Sequence, residues 1–177
     1  MLEKICKVII NGIRFIGFSS YRNLYAVSIS THIKKSPNAQ VHIGKRFRTR
    51  NNVELNVRED ARLEIGDNVF INSGCIITAR DSIIIGDNTI LGPYVMIYDN
   101  DHAVEAGKVS DNHYVTSEVK IGANVWIGAG TVILKGTVIE DDCVIAAGSV
   151  VKGIVKKGSM IVQKRNTQVI TLRKTEA

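Results

Sequence analysis

Aliphatic residues fall on every sixth position at Ile121, Ile127, Ile133, Ile139, Ile145 and Val151. The same step runs through Ile65, Ile71, Ile77 and Ile83, and again through Ile85, Leu91 and Ile97, with glycine following at Gly66, Gly86, Gly92, Gly122 and Gly128. The fourth residue after the aliphatic one is small or β-branched: Val69, Cys75, Thr89, Val95, Val125, Thr131, Thr137, Cys143 and Ser149. A helix repeats its apolar face every 3.6 residues, and β-branched residues with frequent glycine oppose long helices, so the period of six marks a repeat architecture of strands. One large residue aimed at an axis, one small residue beside a corner, and a turn make one side of a triangular coil. Three hexads, about eighteen residues, close such a coil, and stacked coils form three parallel sheets. The strong repeat covers at least residues 65–151.

Corners of such coils need positive φ, which glycine accepts freely and asparagine better than most residues. Asn68, Asn88 and Asn124 stand in the common frames Ile-Gly-Asp-Asn, Ile-Gly-Asp-Asn and Ile-Gly-Ala-Asn and are expected at corners. Cys75 and Cys143 fall on the small inward position and are expected to be buried fillers without chemistry. Outside the strong repeat the pattern changes. Ile5, Val8, Ile9, Ile13 and Ile16 lie at near-helical spacing and suggest a cap over one open end or a surface-lying amphipathic helix. Val41, Ile43, Val53, Leu55, Val57 and Leu63 suggest irregular first coils. Beyond Lys156, Met160, Ile161, Val162, Val169 and Ile170 suffice to seal the other end before a charged tail.

The chain of 177 residues suits one domain, with a basic N-terminal cap over 1–40, coils over 41–155 and a C-terminal segment over 156–177. The apolar stretches near the start are too broken for a membrane span, and no signal-peptide pattern is seen. Three cysteines without Cys-x-x-Cys spacing indicate neither a disulfide framework nor a zinc site, so a cytoplasmic setting is expected. The net charge of +6 is uneven: residues 1–50 carry ten Lys/Arg against the single Glu3. That basic segment could face phosphates, an anionic saccharide or the anionic inner membrane leaflet as a peripheral contact, or form a plain solvated face; nucleic acid is not an expected partner.

The six-step gives way to a long insertion inside the strong repeat, between Ile97 and Ile121, where Asp99-Asn100-Asp101-His102 opens an excursion running to about Glu118. Loops on a rigid scaffold are where function concentrates. His102 stands at the root of the excursion and His113 at its crown, with Asp99, Asp101, Glu105 and Asp111 around them.

The run Val95-Met96-Ile97-Tyr98-Asp99-Asn100-Asp101-His102, followed after the loop by Ile-Gly-Ala-Asn-Val-Trp-Ile-Gly-Ala-Gly at 121–130, resembles the hexapeptide-repeat acyltransferases, in particular the saccharide O-acetyltransferases. The resemblance implies an all-β fold, a left-handed parallel β-helix, assembled as a homotrimer. The left hand comes from the resemblance alone, since parallel crossovers are otherwise right-handed. It also implies acetyl-CoA as cosubstrate, no metal, and transfer of an acetyl group to a sugar hydroxyl.

Removing a hydroxyl proton during attack on a thioester suits a neutral imidazole, and the resemblance makes His102 the general base. It places Asn72, Tyr98, Asp99 and Asp101 around the acceptor, and Trp126 either at the wall of the acceptor pocket or at the trimer contact, since exposed aromatic area on a single chain marks an interface. Ala129, Ala147 and Gly148 match places where CoA lies along the later coils, with the Ala129 N–H aimed at the oxyanion. Lys152, Lys164 and Arg165 are candidates for the CoA phosphates. The Gly-x-Pro-Ala run that relatives carry near the nucleotide is replaced here by Gln163-Lys164-Arg165-Asn166-Thr167. The N-terminal pattern of maltose and galactoside acetyltransferases is absent from residues 1–40. The resemblance is therefore stronger to acetyltransferases of capsule, exopolysaccharide or lipopolysaccharide assembly, whose acceptors are nucleotide sugars, lipid-linked intermediates or polymers. Three other readings stay open at this point: an N-acetyltransferase of an amino sugar, a β-helix scaffold without activity, and a β-helical carbonic anhydrase. The last needs three histidines converging on zinc, and only His102 and His113 are near each other.

Overall fold

A computed structural model describes residues 26–164. The suggested N-terminal helix over residues 1 to about 30, the tail beyond residue 164 and the candidate Arg165 lie wholly or largely outside these. The described chain winds through coils whose three sides are short strands. The first coil holds β1 (His32–Lys35), β2 (Gln40–Ile43) and β3 (Arg48–Thr49), and the second β4 (Glu54–Val57), β5 (Arg62–Ile65) and β6 (Phe70–Ile71). The third has β7 (Ile76–Ala79), β8 (Ser82–Ile85) and β9 (Ile90–Leu91). The fourth begins with β10 (Met96–Tyr98), leaves the solenoid as the hairpin β11 (Asn100–Glu105) and β12 (Lys108–Thr116), and resumes with β13 (Val119–Ile121) and β14 (Trp126–Ile127). Two more coils follow, β15 (Val132–Ile133), β16 (Val138–Ile139) and β17 (Val144–Ile145), then β18 (Val150–Val151), β19 (Ile154–Val155) and β20 (Met160–Ile161).

Corresponding sides stack in parallel into three six-stranded sheets: sheet A through β1, β4, β7, β10, β15 and β18, sheet B from β2 to β19, and sheet C from β3 to β20. Because each strand pairs with the one a full coil away, identical inward positions align. Ile43, Ile65, Ile85, Ile121, Ile139 and Val155 form one such column on sheet B. All are buried, and each burial of this kind contributes roughly 1.5–3 kcal/mol. Cys75 and Cys143 are buried fillers, as their hexad position implies. Asn68, Asn88 and Asn124 take φ of 59°, 57° and 58° at the corners.

The first coils are not irregular. They keep an unbroken ladder with a longer step: His32 pairs with Glu54 and Glu54 with Ile76. Later, Val132 pairs with Val150 and Val144 with Met160, so the step falls from 22 residues to 18 and then 16. The extra length lies in four-residue strands that turn two side chains inward, such as Leu55 with Val57 and Leu63 with Ile65. The coils also reach beyond the span 41–155 that the pattern marks, from His32 to Ile161. Among the described residues no helix is long and apolar enough to cross a membrane.

Candidate functional site

The excursion expected as a loop is a two-stranded antiparallel hairpin rising from the corner between sheets A and B. Its tip is Ala106-Gly107, both with positive φ (49° and 79°), the geometry that lets two residues reverse a twisted pair of strands. Its root is fixed by Asp99. That side chain is fully buried, and its carboxylate accepts the backbone N–H groups of Arg80 at 2.9 Å and Asp81 at 2.8 Å. Burial raises the Asp99 carboxyl above the ordinary 3.8, and the two N–H donors pull it partly back. Asp99 is thus a structural tie between the third coil and the hairpin root. Its assignment to the acceptor is corrected, because a carboxylate with no exposed surface, occupied by the backbone, has nothing to offer a sugar.

Above the root, Asn100 pairs with Thr116, Asp101 with Val115 and His102 with Tyr114, after which the register shifts. Ala103 alone then faces the four residues Ser110 to His113. This bulge carries the Ser110 carbonyl to His102, whose Nδ1 lies 2.8 Å from it. A carbonyl only accepts, so Nδ1 carries the proton of the neutral ring and Nε2 keeps its lone pair. The exposed imidazole also lies against the Tyr114 ring, with centroids 4.6 Å apart. On Tyr114 in turn rests Arg80, its guanidinium carbon 3.3 Å from the ring centre. A base oriented by a hydrogen bond at one nitrogen and free at the other is what proton abstraction from a hydroxyl requires.

His113 differs. Its Nδ1 faces Glu105 Oε1 at 2.8 Å at the crown of the hairpin, and both side chains are more than half exposed. Asp101 meets Lys135 Nζ at 3.7 Å, and Lys135, at the same corner one coil later, is largely covered. Tyr98 closes β10, half-buried, beside this root. The Asn100 Oδ1 is buried and has no hydrogen-bond partner among the described residues.

The other candidates gather elsewhere on the same chain. Asn72, Ala129, Ala147 and Gly148 all lie at the corner between sheets C and A: Asn72 follows β6, Ala129 follows β14 two coils later, and Ala147 and Gly148 follow β17 on the coil after that. Ala129 and Ala147 are exposed, and the Gly148 N–H donates to the Ala129 carbonyl at 2.7 Å. Asn72 Oδ1 accepts the N–H of Ser73 at 2.8 Å. Trp126 points outward from sheet C, 54% exposed. Lys152 stands at the corner between sheets A and B on the last coil, and Lys164 is exposed beyond β20. One chain therefore joins Tyr98, Asp101 and His102 at one corner. Asn72, Trp126 and the three small residues lie across sheet A from them.

Ser110, Tyr114, Arg80 and Lys135 escaped the sequence reading. Neither 100–105 nor 108–116 alternates between covered and exposed positions, so the hairpin leaves no period-two mark in the sequence, and the bulge that shifts its register leaves none either. Arg80 belongs to a turn one coil earlier, so no spacing along the chain links it to His102.

Residues 118–153 match the family described as bacterial transferase hexapeptide (six repeats), and residues 62–93 match the hexapeptide repeat of succinyl-transferase. Galactoside O-acetyltransferase of Escherichia coli (strain K12) is 34% identical over 91 residues, which are 51% of this chain and 45% of that protein. A protein of the same strain named for lipopolysaccharide biosynthesis O-acetyl transfer is 27% identical over 152 residues, 80% of this chain and 76% of its own. Among solved structures, a mutant N-acyltransferase from Bacillus cereus, in complex with dTDP-4-amino-4,6-dideoxyglucose and coenzyme A, superposes with a TM-score of 0.72 at 19% identity, covering 84% of this chain and 81% of that one. At that identity the likeness is one of fold. The chain spans less than half the length of four curated relatives it matches, from 34% to 46%.

Proposed function

We propose that this chain, which belongs to the hexapeptide-repeat transferase family, transfers the acetyl group of acetyl-CoA to a sugar hydroxyl, with His102 as general base. The observation that carries the reading is the hydrogen bond from His102 Nδ1 to the Ser110 carbonyl, which leaves Nε2 open beside an accessible corner. In the proposed reaction Nε2 takes the hydroxyl proton as the sugar oxygen attacks the thioester carbonyl carbon. The tetrahedral oxyanion collapses, the carbon–sulfur bond breaks, and the departing thiolate receives the proton from Nε2.

The placement of the remaining candidates favours a homotrimer. The Ala129 N–H has no partner among the described residues and is suited to an oxyanion, yet it lies at the other corner from His102. A neighbouring copy turning its sheet C and the adjoining corner toward the hairpin would bring Asn72, Trp126 and the groove at Ala129, Ala147 and Gly148 to the base. In such an assembly Tyr98 and Asp101 would bound the acceptor, and Lys152, Lys164 and Arg165 would meet the phosphates of CoA.

The acceptor class belongs to the same proposal: a nucleotide sugar, lipid-linked intermediate or polymer of lipopolysaccharide, capsule or exopolysaccharide assembly, handled in the cytoplasm. The relative named for lipopolysaccharide biosynthesis supports it. The amino-sugar complex of the Bacillus cereus structure favours a second reading, transfer to an amine. Turnover of acetyl-CoA against nucleotide sugars and oligosaccharides, with mass analysis of the product, separates the readings. An O-linked acetyl supports ours, an N-linked acetyl the second. Absence of CoA release with every acceptor would leave a scaffold.

The first coil also supports peripheral contact with the anionic inner leaflet. Residues 26–50 hold Lys34, Lys35, Lys45, Arg46, Arg48 and Arg50 and no carboxylate. Binding to anionic vesicles should weaken as salt rises, and binding that ignores salt would count against it.

A further inference from the structure

Arg80 sits in the turn between β7 and β8, with its backbone N–H held by the buried Asp99 carboxylate. Its guanidinium carbon lies over the Tyr114 ring, which packs against His102; the separations of 3.3 Å and 4.6 Å keep the guanidinium carbon within about 8 Å of the imidazole centre. Stacking uses the face of a guanidinium and leaves the N–H donors along its edge, a fork that matches a carboxylate or phosphate in bidentate fashion. Among the described residues that fork has no hydrogen-bond or ion-pair partner.

The acids nearby do not supply one. Asp99 is occupied by two backbone N–H groups, Asp101 pairs with Lys135, Glu105 faces His113 at the crown, and Asp81 and Asp111 form no ion pair with Arg80. A cation so fixed, one ring away from the proposed base and without a counter-charge among the described residues, is a subsite awaiting an anion. Building on the reading of His102 as the base, we propose that Arg80 binds an anionic substituent, carboxylate or phosphate, carried by the acceptor sugar. From an exocyclic carboxylate to a far ring hydroxyl of a pyranose is a path of about five bonds of roughly 1.5 Å each, so one sugar residue can reach from the fork to the imidazole.

The test uses the full chain in the presence of CoA and three matched probes, glucose, glucuronic acid and glucose 6-phosphate, with binding followed by saturation-transfer NMR. The expected result is at least tenfold stronger binding of one or both anions than of glucose. Whichever anion binds identifies carboxylate or phosphate as the group recognised. Arg80→Met should remove the preference, and Arg80→Lys, which keeps the charge but not the fork, should retain only part of it. Equal binding of the three probes to the wild type, binding of none, or an anion preference that survives Arg80→Met would overturn the proposal. Acetyl transfer is measured separately on the same proteins. An Arg80-dependent anion preference without acetyl transfer to any sugar would sink the transferase reading and leave the subsite standing; acetyl transfer without that preference would do the reverse.

Discussion

His102 and Ser110 are joined by a hydrogen bond of 2.8 Å between the imidazole Nδ1 and the backbone carbonyl oxygen. That contact exists because β12 bulges where β11 contributes only Ala103, so the shape of the hairpin and not a neighbouring carboxylate selects the tautomer. Bulges are a recurrent way of re-aiming groups beside functional sites. Here the bulge leaves the ring exposed on its Nε2 side while its other side is tethered.

The Asp99 carboxyl has a folded-state pKa above the ordinary 3.8, with desolvation as the main cause. The sign follows from linkage: the native state holds this proton more tightly than the unfolded chain, so the stabilising contribution is complete below 3.8 and is lost as pH rises through the folded value. Asp99→Asn does not titrate at this position. Urea midpoints measured from pH 3 to pH 7 should therefore shift in favour of Asp99→Asn relative to wild type as pH rises. A difference that stays flat, or moves the other way, would contradict the assignment.

Coil spacing depends on Gly128, where an added Cβ would stand 2.5 Å from Ala147 N and 2.8 Å from Ala147 Cα. Both are backbone atoms of the next coil and cannot swing aside, so Gly128→Ala should cost about 3 kcal/mol, at the upper end of overpacking effects. Gly130 has φ of 65° and nothing within 4 Å of a new Cβ. Gly130→Ala should cost only the left-handed backbone penalty of about 1 kcal/mol. Thermal unfolding of the two variants makes the comparison, and equal losses would refute it.

The inward columns were legible in the sequence because each coil repeats the same large and small positions, and the long insertion in the period located the hairpin. Legibility failed where the period changed. Val57 and Leu63 looked irregular because strands with two inward residues lengthen the step to 22, which a six-residue template does not capture. Asp99 looked functional by its place beside Asp101 and His102. Its burial depends on Arg80 and Asp81 in the coil beneath, a contact that adjacency along the chain does not reveal. His102 was legible through its motif; the Ser110, Tyr114 and Arg80 shell around it depends on register and on a neighbouring turn.

Ile90, Trp126 and Met160 are 43%, 54% and 63% exposed along one outward row of sheet C. A contiguous apolar row of this kind on a single chain signals an interface. Light scattering at micromolar concentration should give three times the 19.4 kDa of the chain. Replacing Trp126 by Ala should shift the assembly toward smaller species. A monomeric wild type would contradict the shared site.

The most direct measurement is the acetyl-transfer rate of His102→Ala beside that of His113→Ala, each checked for folding and for acetyl-CoA binding. Removing a general base costs about a hundredfold to ten-thousandfold in rate, while a solvated histidine at the crown should cost little. His102→Ala should fold, bind acetyl-CoA and lose transfer on that scale, with His113→Ala close to wild type. Transfer by His102→Ala at near the wild-type rate, with His113→Ala inactive, would contradict the assignment of His102 as the base.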